Sequence, residues 1–201
     1  MYFGKKMQYE IILTDEEYNK CSAFAKESAK TQREYRSGGA QFRALAQIES
    51  DTLRGKTAEV AAKRFLEQEP LDVKGIELDF NIYPRGKWDE QDFTINGRRI
   101  SVKSAKWFSK WLLLESKDII RGDVYDYYIL IVVAKDFKSA KVMGYAAKEE
   151  ILEDSNTLRL KKGEKIPDTE TILDADNHAR HSRYLHNSEI EWIKLADSLK
   201  P

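Results

Sequence analysis

The stretch Asp92-Phe-Thr-Ile-Asn-Gly-Arg-Arg-Ile-Ser-Val-Lys103 constrains this chain more than any other. Phe93, Ile95, Ile100 and Val102 alternate with Asp92, Thr94, Arg99, Ser101 and Lys103, the period of a half-buried strand pair. Asn96-Gly97 between the two runs is a strong two-residue turn signal. With that turn, Ile95 pairs with Arg98, Asp92 lies opposite Ser101, and Lys103 is one diagonal step away. Opposed Cβ atoms stand about 4.5–5.5 Å apart, so a carboxylate and an amine are predicted to converge on one strand face. Such a pair can hold a divalent metal and steady a phosphate or an attacking water. It is equally the pattern of a solvated amphipathic hairpin with a cross-strand Asp/Lys pair.

Upstream, Gly55-Lys-Thr-Ala-Glu59-Val-Ala-Ala-Lys-Arg-Phe-Leu66 has helical spacing, with Ala58, Ala62, Phe65 and Leu66 as its buried stripe. Glu59 leans toward that stripe, and an acidic group there needs a partner. A salt bridge would supply one, and so would a site shared with the hairpin.

The combination resembles the PD-(D/E)xK nuclease superfamily, in the restriction-endonuclease-like group. Gly55–Leu66 is similar to the first helix of that core, Asp92 to its metal-binding aspartate, and Lys103, in Ser101-Val-Lys103-Ser104, to its catalytic lysine. The run Asp126–Ala134 is similar to the following central strand. The likeness covers residues 55–134, and its motifs are short and degenerate. Two positions depart from the pattern. Gln91 stands where the naming proline would be, and Ser101 replaces the second acidic residue. A hydroxyl is a weak neutral ligand for a hard cation; the resemblance implies that the missing carboxylate comes from a later element, as in members of the superfamily that read Ser-x-Lys. Glu115 is the candidate here, with Glu59 and Glu90 as substitutes, although Glu115 also reads as a surface residue ending Trp111-Leu-Leu-Leu114.

The resemblance implies a Mg²⁺ site, with Mn²⁺ as a possible substitute, built on Asp92, the Val102 carbonyl and Glu115 or Glu59. Asp92, Lys103, Glu59 and Ser101 would form the catalytic set. Arg98, Arg99, Ser104, Lys106, Arg54 and Lys56 would contact the nucleic acid. The alternative is a catalytically inactive protein of the same fold that binds nucleic acid or serves as an assembly subunit.

Charge is compatible with this reading but does not select it. The 201 residues carry 34 basic and 34 acidic side chains, so any DNA surface depends on segregation of charge. Seven basic residues fall between Arg85 and Lys110 (Arg85, Lys87, Arg98, Arg99, Lys103, Lys106, Lys110) against Asp89, Glu90 and Asp92, while residues 149–176 lean acidic. The single cysteine, Cys21, excludes an internal disulfide and a cysteine-built zinc cluster. The longest apolar run, residues 127–134, is far too short to span a bilayer, and the first residues lack a signal core. A soluble, cytoplasmic protein is expected.

Thr14-Asp-Glu-Glu17 reads as a capping box opening a helix to about Arg36, broken by Ser37-Gly38-Gly39. A second helical pattern covers 40–49, before the helix that begins at Gly55. Strand signals follow at 73–82, the hairpin, 127–133 and 140–145. Short helices are expected at 148–152 and 189–199, with a polar, turn-rich tract at 156–185. His178 and His181 within that tract and His186 just after it could bind zinc, and Arg180, His181 or Arg183 could meet phosphate. A polar loop accounts for the same residues. Trp107 and Trp111 could stack on a base, but at helical spacing they read as core.

The expected fold is α/β: a central mixed sheet of four or five strands flanked by helices, in one domain. Residues 1–54 form an N-terminal helical region, 55–147 the nuclease-like core and 148–201 a C-terminal extension. The expected activity is metal-dependent DNA cleavage by an endonuclease of the restriction or genome-defence kind, with cuts on both strands requiring a homodimer.

Overall fold

The computed structural model describes residues 7–31, 42–84, 92–120 and 125–200. Strand β1 (Glu10–Ile12) leads into helix α1 (Asp15–Ala29). Its capping box is formed as the sequence predicts: Glu17 N donates to Thr14 Oγ1 (3.2 Å) and Thr14 N to Glu17 Oε2 (2.7 Å). The helix stops at Ala29, earlier than expected. Ser37-Gly38-Gly39 lies outside the described residues, as does Arg36.

Helix α2 (Leu45–Glu67) joins into one 23-residue element what reads as two segments, with Gly55 in its interior. A mid-helix glycine costs about 1 kcal/mol relative to alanine. Here that cost is outweighed by packing on both sides of it: Ile48 and Leu53 are buried on the N-terminal side, and Ala58, Ala62, Phe65 and Leu66 on the C-terminal side.

The strand expected at 73–82 does not form. Asp72 (φ 50°) and Gly75 (φ 76°) take the backbone out of the extended region, and Val73 N donates to Leu66 O rather than to a ladder. Val73 and Ile76 are nevertheless buried in the core from this irregular segment.

The hairpin forms in the predicted register. Asn96 (φ 48°) and Gly97 (φ 78°) make the turn between β2 (Phe93–Ile95) and β3 (Arg98–Lys106), with Ile95 opposite Arg98 and Phe93 opposite Ile100. Asn96 Nδ2 donates to Leu199 O, tying the turn to the end of the chain's last helix.

β4 (Trp111–Glu115) and α3 (Ser116–Ile120) then lead to β5 (Tyr127–Val133) and β6 (Ser139–Ala147). β5 runs parallel to β3 and antiparallel to β6, so the main sheet is mixed, in the order β1-β6-β5-β3-β2. Helix α4 (Lys148–Glu153), β7 (Thr157–Leu160), β8 (Asn177–His181), a 3-10 turn (Ser182–Tyr184) and α5 (Glu189–Leu199) complete the chain. The tract expected to be loop therefore contributes two strands of a second sheet, β4-β8-β7. β8 buries Asn177, His178 and Arg180, so it lacks the apolar alternation by which strands are recognised.

The main sheet has two unlike faces. Phe93, Ile95, Ile100 and Val102 pack with Ala58, Ala61, Ala62 and Phe65 of α2 and with Trp192 of α5, whose ring meets Phe65 edge-on at 4.6 Å. Tyr128 and Leu130 on the other face pack with Leu112, Leu114, Ile119 and Ile151. Among the described residues, no helix is long and apolar enough to cross a membrane.

Candidate functional site

Asp92 sits just before the edge strand β2, opposite Ser101. Its Oδ2 accepts from Ser101 Oγ (3.0 Å) and from Val102 N (2.7 Å). Both donors lie on buried residues, Ser101 at 0% exposure, so the carboxylate is held firmly by one oxygen. Its Oδ1 accepts nothing from the described residues. Successive peptide groups of a strand point to alternate sides, and a residue's N–H and C=O share a side. The Val102 carbonyl is therefore directed past the end of β2, beside Asp92, whereas Arg99 O is directed to β5 and accepts from Asp126 N.

Alternation along β3 puts Arg99, Ser101 and Lys103 on the face opposite α2. The half-buried Lys103 places its Nζ 5.9 Å from the centre of the Tyr125 ring and has no carboxylate within ion-pair distance among the described residues. Ser101 is the register partner of Tyr128 on β5. The Tyr128 hydroxyl is buried without a hydrogen-bond partner among the described residues, and burial pushes its pKa well above the ordinary value. The two tyrosines escaped the sequence reading because the parallel β3–β5 register that brings them to the hairpin leaves no local signal.

Asp126 closes the arrangement. Its Oδ2 accepts from Arg99 N (2.7 Å), and its Oδ1 is 3.5 Å from Arg98 Nη1. Arg98 is thereby drawn to Asp126 at the hairpin's end. Ser104 and Lys106 lie on the alternate positions of β3, Lys106 exposed at its terminus.

The remaining expected site residues lie elsewhere. Glu59 belongs to the helix that covers the other face of the sheet, and its carboxylate pairs with Lys56 Nζ. Lys56 is 6% exposed, donates also to Asp79 O (2.7 Å) and lies over the Phe24 ring, so it is a structural cation and not a surface for phosphate. Burial pushes the thiol of Cys21 up to about 11, with the nearby Lys56 charge lowering it and the Glu59 charge raising it. Arg54 pairs with Asp51 (2.9 Å) and faces Phe137, in the connection between β5 and β6. Glu115 ends β4 opposite Asn177 in the second sheet and pairs with Lys117 (2.7 Å). Glu90 lies outside the described residues, among which no group of three or more His, Cys, Asp or Glu side chains is arranged to hold a metal ion.

The histidines do not converge. His178 Nδ1 meets Ser116 Oγ (3.0 Å), and burial, with Arg159 nearby, lowers its pKa. His181 Nδ1 accepts from Arg183 N (3.1 Å). His186 lies between Glu150 (Nε2, 2.7 Å) and Glu191 (Nδ1, 2.7 Å); burial opposes its charge, but the two hydrogen bonds outweigh it and raise the pKa. Arg180, 4% exposed, donates to Thr157 Oγ1 (3.1 Å) and Tyr184 O (3.1 Å) and pairs with Asp154 (2.9 Å). It is enclosed rather than available to phosphate. Trp107 is no core residue either: strand and turn geometry leave it 41% exposed.

A comparison of the chain with protein-family models, curated proteins and solved structures finds no match. Two oxygens, Asp92 Oδ1 and the Val102 carbonyl, fit Mg²⁺, which keeps most of its waters and is commonly bound through one or two carboxylates and the substrate's phosphates.

Proposed function

We propose that the protein is a Mg²⁺-dependent endonuclease that hydrolyses DNA phosphodiesters at the Asp92–Lys103 hairpin, on a restriction-endonuclease-like core. The observation that carries this reading is Asp92, held through one oxygen by Ser101 Oγ and Val102 N, with the Lys103 ammonium group, which lacks a carboxylate partner among the described residues, two residues past Ser101 on the same face. The order of helix, hairpin and parallel strand supports the resemblance to PD-(D/E)xK nucleases.

Asp92 Oδ1 and the Val102 carbonyl are the groups that would hold the cation. When bound, the cation supplies Lewis acidity to a phosphoryl oxygen and lowers the pKa of a coordinated water. Lys103 pairs with a non-bridging phosphate oxygen and offsets the charge that grows there during in-line attack. Ser101 positions Asp92 and touches no substrate. Arg99, on the same face, attracts the DNA backbone to the edge of the sheet.

One observation favours a second reading, a nuclease-fold protein that binds nucleic acid without cutting it. The Ser101 hydroxyl donates to one oxygen of Asp92, where a second carboxylate would repel it and favour a cation between the two.

Supercoiled plasmid incubated with Mg²⁺, Mn²⁺ or EDTA separates the two. Asp92→Asn keeps an acceptor for Ser101 and Val102 while weakening metal ligation, and Lys103→Met keeps the stem while removing the charge. Nicking that needs metal and falls at least about a hundredfold in both variants is the expected result. Metal-independent nicking, or equal nicking by the variants, overturns the proposal. Plasmid retention without cleavage establishes the binding protein instead.

A further inference from the structure

Two connections meet at the far end of β3. Ser182 N donates to Lys110 O (2.7 Å), and Ser109 N to Lys106 O (2.8 Å), closing the turn between β3 and β4. That turn leaves Trp107 41% and Phe108 73% exposed, and Tyr184 on the neighbouring connection is 36% exposed. Exposed aromatic side chains gathered at one corner form an apolar patch, and it is patches rather than single exposed residues that mark contact surfaces. The cations among them are Lys106, Lys110 and Arg183, none with a carboxylate partner among the described residues; the Arg183 guanidinium lies 4.7 Å from the Tyr184 ring. Asp168 is the acidic group whose charge reaches this corner, at His181.

The charges narrow the occupant. An apolar protein partner would strip water from three cations and offer them nothing in return, which is costly. An anionic partner with flat apolar faces matches both halves of the surface, and nucleic acid has that composition. In a duplex the base faces are stacked on one another, so aromatic side chains gain access only to an unpaired strand.

We infer that this corner binds single-stranded DNA, its bases stacking on Trp107, Phe108 and Tyr184 and its phosphates meeting Lys106, Lys110 and Arg183. The choice of DNA rests on the proposed cleavage activity. Lys106 lies about 10 Å along β3 from Lys103 but on the alternate face, so a tract held here turns round the end of the strand to reach the Asp92 hairpin.

The test is fluorescence anisotropy with a labelled oligo-dT in EDTA, where cleavage plays no part, beside the same-length duplex and oligo-U. The single DNA strand is expected to bind most tightly and to quench tryptophan emission. Phe108→Ala and Trp107→Ala should each weaken binding about fivefold to a hundredfold, the range for losing one stacked base. Lys110→Gln combined with Arg183→Gln should flatten the salt dependence. Circular dichroism checks the fold of each variant, and Phe108, being outermost, serves if Trp107→Ala does not fold. Binding unchanged within twofold in the aromatic variants overturns the inference, as does duplex bound equally well or oligo-U bound more tightly. Plasmid cleavage without strand binding refutes this corner alone, and strand binding without cleavage refutes the hydrolytic reading alone.

Discussion

Two polar clusters in this protein are built by opposite rules. Around Arg180 and His186 charges are matched: Arg180 meets Asp154, Thr157 and the Tyr184 carbonyl, and His186 meets Glu150 and Glu191. On the hairpin, Asp92 has one oxygen engaged and Lys103 has no carboxylate partner among the described residues. Matched charges join elements, here α4, β7, β8 and α5. Charges left unmatched on a braced strand are available to something that arrives from solution. The histidine-rich tract offers zinc ligands when read as a string, yet its groups are consumed by the fold.

The largest test of that contrast strikes the matched region through its backbone. Gly144, at φ +137°, packs so closely beneath the 185–186 segment that an added Cβ would lie 2.7 Å from Leu185 Cβ and 2.8 Å from His186 O. One of those atoms is backbone, and it is held by reciprocal hydrogen bonds between Tyr145 and His186 (3.0 and 2.9 Å). Gly144→Ala should therefore cost about 3 kcal/mol from overpacking and strain, read as a shift in urea unfolding. A cost below about 1 kcal/mol would mean that the segment is held loosely and the matched cluster is no brace.

A smaller effect is expected from one substitution in each cluster. Arg180→Met removes a buried cation that several groups were arranged to receive, at an expected cost of about 2–3 kcal/mol. Lys103→Met should change unfolding free energy by no more than about 0.5 kcal/mol, since no carboxylate among the described residues depends on it. Equal costs would erase the distinction between bracing and available charge, and with it the main argument for placing chemistry at the hairpin.

The hairpin was legible in the sequence because its information is local. Asn96-Gly97 fixes the turn, the turn fixes the register, and the register puts Asp92 opposite Ser101. The capping box and the buried stripe of α2 were legible for the same reason. Of the two partners open to Glu59, the structure shows the salt bridge, with Lys56; helical periodicity gives a face but not which side of the sheet that face covers, so it could not choose between them. The strand at 73–82 was misread because apolar residues at Val73 and Ile76 signal burial, which an irregular segment also achieves. β8 went unread because its buried residues are polar, and their partners Asp154, Glu150 and Ser116 are distant in sequence.

The smallest effect concerns pH and follows from the clamp on His186. Its pKa is raised from 6.5 because hydrogen bonds to Glu191 and Glu150 outweigh its burial, while Glu191 is lowered from 4.5 to about 2, chiefly by His186 and then by Ser188. Arg180, 3.9 Å from Glu150, and the Tyr145 ring, 5.0 Å away, are the other groups that face this pair. A histidine with a raised folded-state pKa contributes stability that is full below 6.5 and lost as pH rises through the raised value. A lowered glutamate contributes stability above 4.5 that is lost as pH falls toward about 2. Both contributions coexist between 4.5 and 6.5, so the stability lost in His186→Asn should be greatest there and should shrink toward alkaline pH. With the imidazole and both carboxylates partly exposed, solvent screening limits the change to about 1 kcal/mol or less. Urea unfolding of the two proteins across that range measures it. A difference that stayed constant with pH would show that His186 sits neutral between its carboxylates, and the clamp would then be a pair of ordinary hydrogen bonds rather than a matched charge.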